Sequence, residues 1–150
     1  MKNKDQLKFR FPVLLLFALF FISPAACKKK KNNEEFVPYV YVDFYVTLAN
    51  PQFVTLNAVG GSVYVTGGSR GIILYRKSND EFQAYDRHCP YLPENSCGLL
   101  EVETSSTIAV DSCCGSEFLL VDGSVLKQPS SYPMLRYQTT FDGNQIHIFN

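Results

Sequence analysis

Tryptophan is missing from this chain of 150 residues, methionine occurs twice, and histidine occurs only at His88 and His147. Two histidines exclude a histidine-rich metal site. Basic residues are sparse beyond residue 35: six Lys or Arg stand against eleven Asp or Glu between 36 and 150. That region is therefore five units negative, although the whole chain is formally neutral. The basic footprint of a nucleic-acid binder is absent, which excludes that class of partner. No window of ten or more residues in the region carries a capped apolar stripe of helical period, so a helical domain is excluded. Nor does any Ser, His or second carboxylate fall beside Asp111 in a way that would make it a general base. A hydrolytic enzyme therefore has no constellation to support it, and no catalytic residues are expected. Long apolar runs are also few. The longest, residues 11–22, is broken only by Pro12 and is shorter than the roughly 20 residues a membrane-spanning helix needs.

That run has a different meaning. Lys2, Lys4, Lys8 and Arg10 precede it, and Ser23-Pro24-Ala25-Ala26 follow it, ending at Cys27. A basic start, a short apolar core and small residues make a secretory signal. With a cysteine at its end, the segment resembles a bacterial lipoprotein signal, in which that cysteine is lipidated and becomes the first residue of the mature protein; Pro24 departs from the aliphatic residue usual there. The expectation is a signal peptide over 1–26 and a lipid on Cys27. Residues 27–35 form a polar tether, rich in Lys, Asn and Glu. The lipid would hold the protein to a membrane of the bacterial cell envelope without spanning it.

From residue 36 to 150 the chain reads as one all-β domain. Strands are expected at 39–48, 62–66, 72–76, 81–87, 107–111, 117–121, 135–141 and 145–149, where β-branched and aromatic residues are dense. Asn50-Pro51, Gly60-Gly61, Gly67-Gly68, Ser78-Asn79-Asp80, Asp122-Gly123 and Asp142-Gly143 punctuate them as turns. Short strands at close spacing imply a sandwich or a small barrel. Gly67-Gly68-Ser69-Arg70-Gly71 has the composition of a phosphate loop, but a strand pattern follows it rather than a helix, so it reads as a turn.

Cys27 aside, four cysteines remain: Cys89, Cys97, Cys113 and Cys114. An even count in an exported domain points to disulfides. A bond between the neighbours Cys113 and Cys114 is strained, which leaves two schemes open: Cys89–Cys114 with Cys97–Cys113, or Cys89–Cys113 with Cys97–Cys114.

The sequence around these cysteines is distinctive. His88-Cys89-Pro90-Tyr91 and Asp111-Ser112-Cys113-Cys114-Gly115-Ser116-Glu117-Phe118 resemble the two cluster-binding loops of the Rieske iron–sulfur family, Cys-x-His and Cys-x-x-His-Gly-Ser. The strand pairs at 71–76 with 82–87, the hairpin at 118–127, and a proline-containing loop with Pro129 and Pro133 fit the same pattern, so the resemblance covers residues 60–149. It implies an antiparallel β domain with both loops at one tip. A Rieske [2Fe–2S] centre takes two thiolates on one iron and two imidazoles on the other. Here Cys89 keeps its place, while Tyr91 stands where the first histidine should be, Asp111 where the second cysteine should be, and Cys114 where the second histidine should be. Gly115 and Ser116 match.

The resemblance also bears on the disulfides. In the high-potential branch of the family a bridge joins the two loops, and its second cysteine lies immediately before the second histidine, which is the place of Cys113. This implies Cys97–Cys113, with Cys89 and Cys114 left to form a second bridge where the cluster would sit. The expectation is therefore an exported, disulfide-stabilised interaction or structural module with an envelope protein as partner and no preferred cofactor. The alternative is a redox role, through a retained or altered [2Fe–2S] site held by Cys89 and Cys114 or through thiol–disulfide chemistry at Cys113-Cys114. Ser116 is expected to cap its own turn, Asp111 to be a surface or turn aspartate, Tyr91 to be a packed loop aromatic, and His147 to lie on the solvent face of the last strand.

Overall fold

A computed structural model describes residues 37–104 and 107–150. The expected signal peptide at 1–26, the lipidation site Cys27 and the tether at 27–35 lie outside the described residues. Among the described residues, ten strands run in the order β1 (Asp43–Thr47), β2 (Ser62–Val65), β3 (Ile72–Arg76), β4 (Phe82–Asp86), β5 (Leu100–Val102), β6 (Ile108–Asp111), β7 (Glu117–Leu119), β8 (Val125–Lys127), β9 (Arg136–Phe141) and β10 (Gln145–Phe149). They form two antiparallel sheets, one ordered β1-β10-β9-β4-β3-β2 and the other β5-β6-β7-β8. Chain order explains this division. The chain leaves the large sheet after β4 and re-enters it at β9, where Ala84 pairs with Tyr137 and Tyr85 with Arg136. The small sheet is built within that excursion, and so are both cysteine loops.

Residues 72–75 and 82–86 are buried without a break, whereas a strand with one wet face would alternate. The reason is a core on each side. Ile72, Leu74, Phe82 and Ala84 face one cluster with Val46, Leu56, Tyr137, Ile146 and Ile148. Ile73, Tyr75 and Tyr85 face a second cluster with Cys89, Leu100, Ala109, Phe118 and Leu120. Cys89 is thus a core residue of the second cluster as well as a loop residue.

Three local differences from the sequence pattern have clear causes. The first strand is shorter than the expected 39–48, because its partner β10 ends at Phe149. Beyond that point the Asn150 side chain takes over the pairing: its Oδ1 accepts from the Val42 amide at 3.1 Å, and its Nδ2 donates to the Val40 carbonyl at 2.8 Å. Residues Pro51–Asn57, expected only to open with a turn, form a 3-10 helix. Asn50 caps it by accepting from the Gln52 amide, with proline in the first turn. Strand β5 carries no alternating signal in three residues. It is held by pairing with β6 and by the Val102 amide, which donates to the Tyr64 hydroxyl at 2.8 Å.

Candidate functional site

Two loops meet at the tip of the small sheet. The first follows β4, and side chains outside the cysteines fix its backbone. Asp86, fully buried at the end of β4, accepts four hydrogen bonds: from the amides of Ser69 (2.6 Å), Arg70 (3.3 Å) and His88 (2.8 Å), and from the Tyr137 hydroxyl (2.7 Å). This carboxylate joins the 67–71 turn, the first loop and β9. Gly68 lies against it with φ +61, and a β-carbon there would run into the Asp86 carboxylate and the Tyr137 hydroxyl. Arg70 then reaches across the first loop. Its guanidinium donates to the carbonyls of Asn95 (3.0 Å), Ser96 (3.1 Å) and Gly98 (2.8 Å). The glycine-rich segment is therefore a turn that clamps a loop.

His88 belongs to this clamp and is turned away from the cysteines. Its Nε2 lies 2.8 Å from the Pro93 carbonyl and its Nδ1 2.8 Å from the Ser69 hydroxyl. A carbonyl only accepts, so Nε2 carries the hydrogen; in the neutral ring Nδ1 accepts from Ser69.

The second loop links β6 to β7. Gly115 turns it with φ +79, and its amide donates to the Asp111 carbonyl at 2.7 Å. Asp111 Oδ1 accepts from the Cys113 amide at 2.8 Å. The residue does close a turn, but it is buried, not on the surface as expected. Besides lying 3.1 Å from the Cys114 thiol in its own turn, Ser116 Oγ accepts from the Ser130 amide at 2.9 Å and so ties the proline loop, with its cis Gln128–Pro129 bond, to the tip.

Cys97 and Cys113 form a disulfide between the two loops. The second expected bridge is not formed. Cys89 and Cys114 are both free, with their sulfurs 3.9 Å apart. Cys114 Sγ lies 3.2 Å from Asp111 Oδ2 and 3.1 Å from Ser116 Oγ, so the thiol hydrogen has oxygen acceptors closer than the other sulfur. Burial pushes the Cys89 thiol pKa up. The hydrogen bond with Asp111 raises it further, while the Tyr91 amide, which donates to the sulfur, works in the opposite direction. Ligand atoms of Cys89, Asp111 and Cys114 all lie within 4.8 Å of one another. Tyr91 packs on the second core, and together with Leu92, Asn95, Asp111, Cys114 and Pro129 it helps line a cavity of about 220 Å³ at the mouth of the site.

No family model matches the chain, and no curated protein matches it. Among solved structures, the cyanobacterial plasma membrane Rieske protein PetC3 from Synechocystis PCC 6803 is similar in fold. The TM-score is 0.55 and the identity 22%, over 71% of this chain and 99% of the other. The fold is Rieske-like. Among the described residues, no helix is long and apolar enough to cross a membrane.

Set against the Rieske loop pattern, the donors at this tip differ from the two thiolates and two imidazoles of the family's [2Fe–2S] group. By that resemblance Cys89 and Asp111 correspond to the thiolate places, and Cys114 and Tyr91 to the imidazole places. The sulfurs of Cys89 and Cys114 lie 3.9 Å apart. The one histidine in these loops, His88, is committed to Ser69 and Pro93.

Sequence reasoning did not single out Asp86, Arg70, Ser69, Tyr137 or Ser130. Many of their partners are main-chain amides or carbonyls and side chains distant in sequence, as far as 51 residues away for Tyr137 and Asp86. The one available signal was Asp86, an acidic residue closing a buried strand. His147 does lie on the outer side of β10. There it stacks between Tyr45 and Phe149, with Nε2 2.7 Å from Asp43 Oδ1.

Proposed function

We propose that this Rieske-like domain is an exported module, held to an envelope membrane by a lipid on Cys27, that acts through interaction with a protein partner rather than by carrying electrons on a [2Fe–2S] cluster. The observation that carries this reading is the donor set. By the loop resemblance, three of the four ligand positions bear Tyr91, Asp111 and Cys114 in place of the family's residues, and the sulfurs of Cys89 and Cys114 lie 3.9 Å apart. The clamps support it too. The first loop is shaped by Asp86, Arg70 and His88 and joined to the second by Cys97–Cys113, so its conformation needs no cluster. Thiol exchange through Cys89 is less well supported, because a nucleophilic cysteine needs exposure and a depressed pKa, and Cys89 is buried with its pKa raised.

The test is iron and acid-labile sulfide analysis of the chain made under anaerobic conditions in cells competent for cluster assembly. The expected result is a preparation without sulfide and without a paramagnetic signal on reduction. About two irons and two sulfides per chain, with such a signal, would refute the reading. The anchor is tested separately by Cys27→Ser, which is expected to move the protein from the membrane fraction to the soluble envelope fraction. Retention in the membrane would refute lipid anchoring.

A further inference from the structure

Two buried aspartates in this domain are treated very differently. Asp86 has four hydrogen-bond donors around it. Asp111, 1% exposed, has one amide on Oδ1, and its Oδ2 faces sulfur. Asp111 belongs to none of the ion pairs among the described residues, which are Lys77–Glu81, Arg87–Glu101, Lys127–Glu117 and His147–Asp43. A buried carboxylate is ordinarily paired, richly hydrogen-bonded or bound to a metal. Among the described residues Asp111 has no cationic partner, and apart from the Cys113 amide the hydrogen bonds to its carboxylate come from thiols, whose protons a metal ion would replace.

One of the sulfurs beside it is oriented in the same sense. The Ser116 amide donates to Cys114 Sγ at 3.4 Å. A main-chain N–H aimed at a sulfur helps to orient it as a ligand. Asp111 Oδ1 is fixed by the Cys113 amide, which leaves Oδ2 turned toward the two sulfurs.

We propose, resting on the reading above, that Cys89, Cys114 and Asp111 bind a single thiophilic divalent ion of the zinc class at the loop tip. The spacing suits one ion. With Zn–S about 2.3 Å and Zn–O about 2.0–2.2 Å, a tetrahedral centre separates two sulfurs by about 3.8 Å, and a sulfur from an oxygen by about 3.5 Å. The observed separations are 3.9 Å and 3.2 Å. Two thiolates and one carboxylate favour zinc or cobalt over magnesium or calcium, which take oxygen donors. Each thiol gives its proton to solvent as it binds. Three protein donors leave a fourth position for water. The cavity of about 220 Å³, with Asp111 and Cys114 in its wall, supplies the opening. The ion ties the two loops together beside the Cys97–Cys113 bridge, as the second disulfide was expected to do.

The test uses the full chain extracted in detergent. Elemental analysis is expected to find one zinc per chain. Replacement by cobalt(II) is expected to give the visible bands of a tetrahedral centre and a near-ultraviolet thiolate-to-cobalt band. Cys114→Ser and Asp111→Asn should each weaken cobalt binding by more than about 100-fold, exceeding the loss of an outer-shell partner. Thermal unfolding separates binding from folding: in chelator, wild type and both variants unfold at similar temperatures, and added zinc raises the midpoint only for wild type. Two irons with two sulfides would overturn both this site and the module reading. A metal-free protein whose peptide map joins Cys89 to Cys114 would overturn the site and leave the module reading standing. Full cobalt affinity in the double variant would also overturn it.

Discussion

Replacing Asp86 by alanine tests whether the loop tip is held from below. The carboxylate accepts from the amides of Ser69, Arg70 and His88 and from the Tyr137 hydroxyl. Hydrogen bonds to a charged group contribute about 1.5–3 kcal/mol each. The Ser69 and Arg70 amides are only part-buried and regain water when the acceptor is lost. His88 N–H and the Tyr137 hydroxyl are buried, and they dominate the cost. The expected destabilisation of Asp86→Ala is therefore about 3–5 kcal/mol, out of a total of about 5–15 kcal/mol for a domain. That corresponds to a drop in Tm of roughly 12–20 °C. Far-UV circular dichroism during heating, with the disulfide intact, measures it. Tyr137→Phe removes one donor and should cost about 1–2 kcal/mol. In the double variant the two losses should fall short of additive by about 1 kcal/mol or more, since both remove the same bond. A Tm within 3 °C of wild type for Asp86→Ala, or strict additivity with Tyr137→Phe, would refute the account of this carboxylate as the anchor of the first loop.

Other expectations follow from the same geometry. Gly68→Ala places a methyl group against Asp86 and Tyr137 at a φ of +61, and should destabilise the domain by about 2–4 kcal/mol in urea unfolding. Arg70→Lys keeps the charge but cannot bridge three carbonyls, so it should cost about 1–2 kcal/mol and speed amide exchange at residues 95–100. Cys97→Ser opens a link spanning 16 residues and should cost about 3 kcal/mol relative to the oxidised protein. Burial raises the pKa of Tyr85, and burial together with the bond to Asp86 raises that of Tyr137. The folded state therefore keeps protons that the unfolded chain releases near its ordinary value of about 10. Stability is full below that pH and should fall as pH rises past it, as urea unfolding at pH 9 and 11 would show.

The parts of the fold that could be read in the sequence are those with dense local signals. Strand β3 is an apolar and aromatic run and β4 is rich in aromatics between turns, and Asp142-Gly143 marks the hairpin of β9 and β10. The 3-10 helix was legible in principle, since Asn50 followed by Pro51 is a capping pattern as well as a turn signal. Strand β5 was not legible, because three residues carry no period. At the tip, the resemblance located Cys89, Asp111 and Cys114 but misjudged their relation. A second disulfide was expected from cysteine parity, yet a nearby carboxylate and serine offer the Cys114 thiol closer partners than Cys89. Parity counts sulfurs and is blind to oxygen acceptors two and three residues away in the same loop.

Strands β3 and β4 act as a septum. One side of each is plastered by the larger core and the other by the smaller. Neither compartment can melt while the other stays intact, because the dividing wall would have to serve one room and abandon the other. The lobe bearing the cysteines is thus denied the independent breathing that an inserted excursion ordinarily enjoys. Its slowest-exchanging amides should be those of the wall, at Ile73 and Leu74, rather than any in its own short strands.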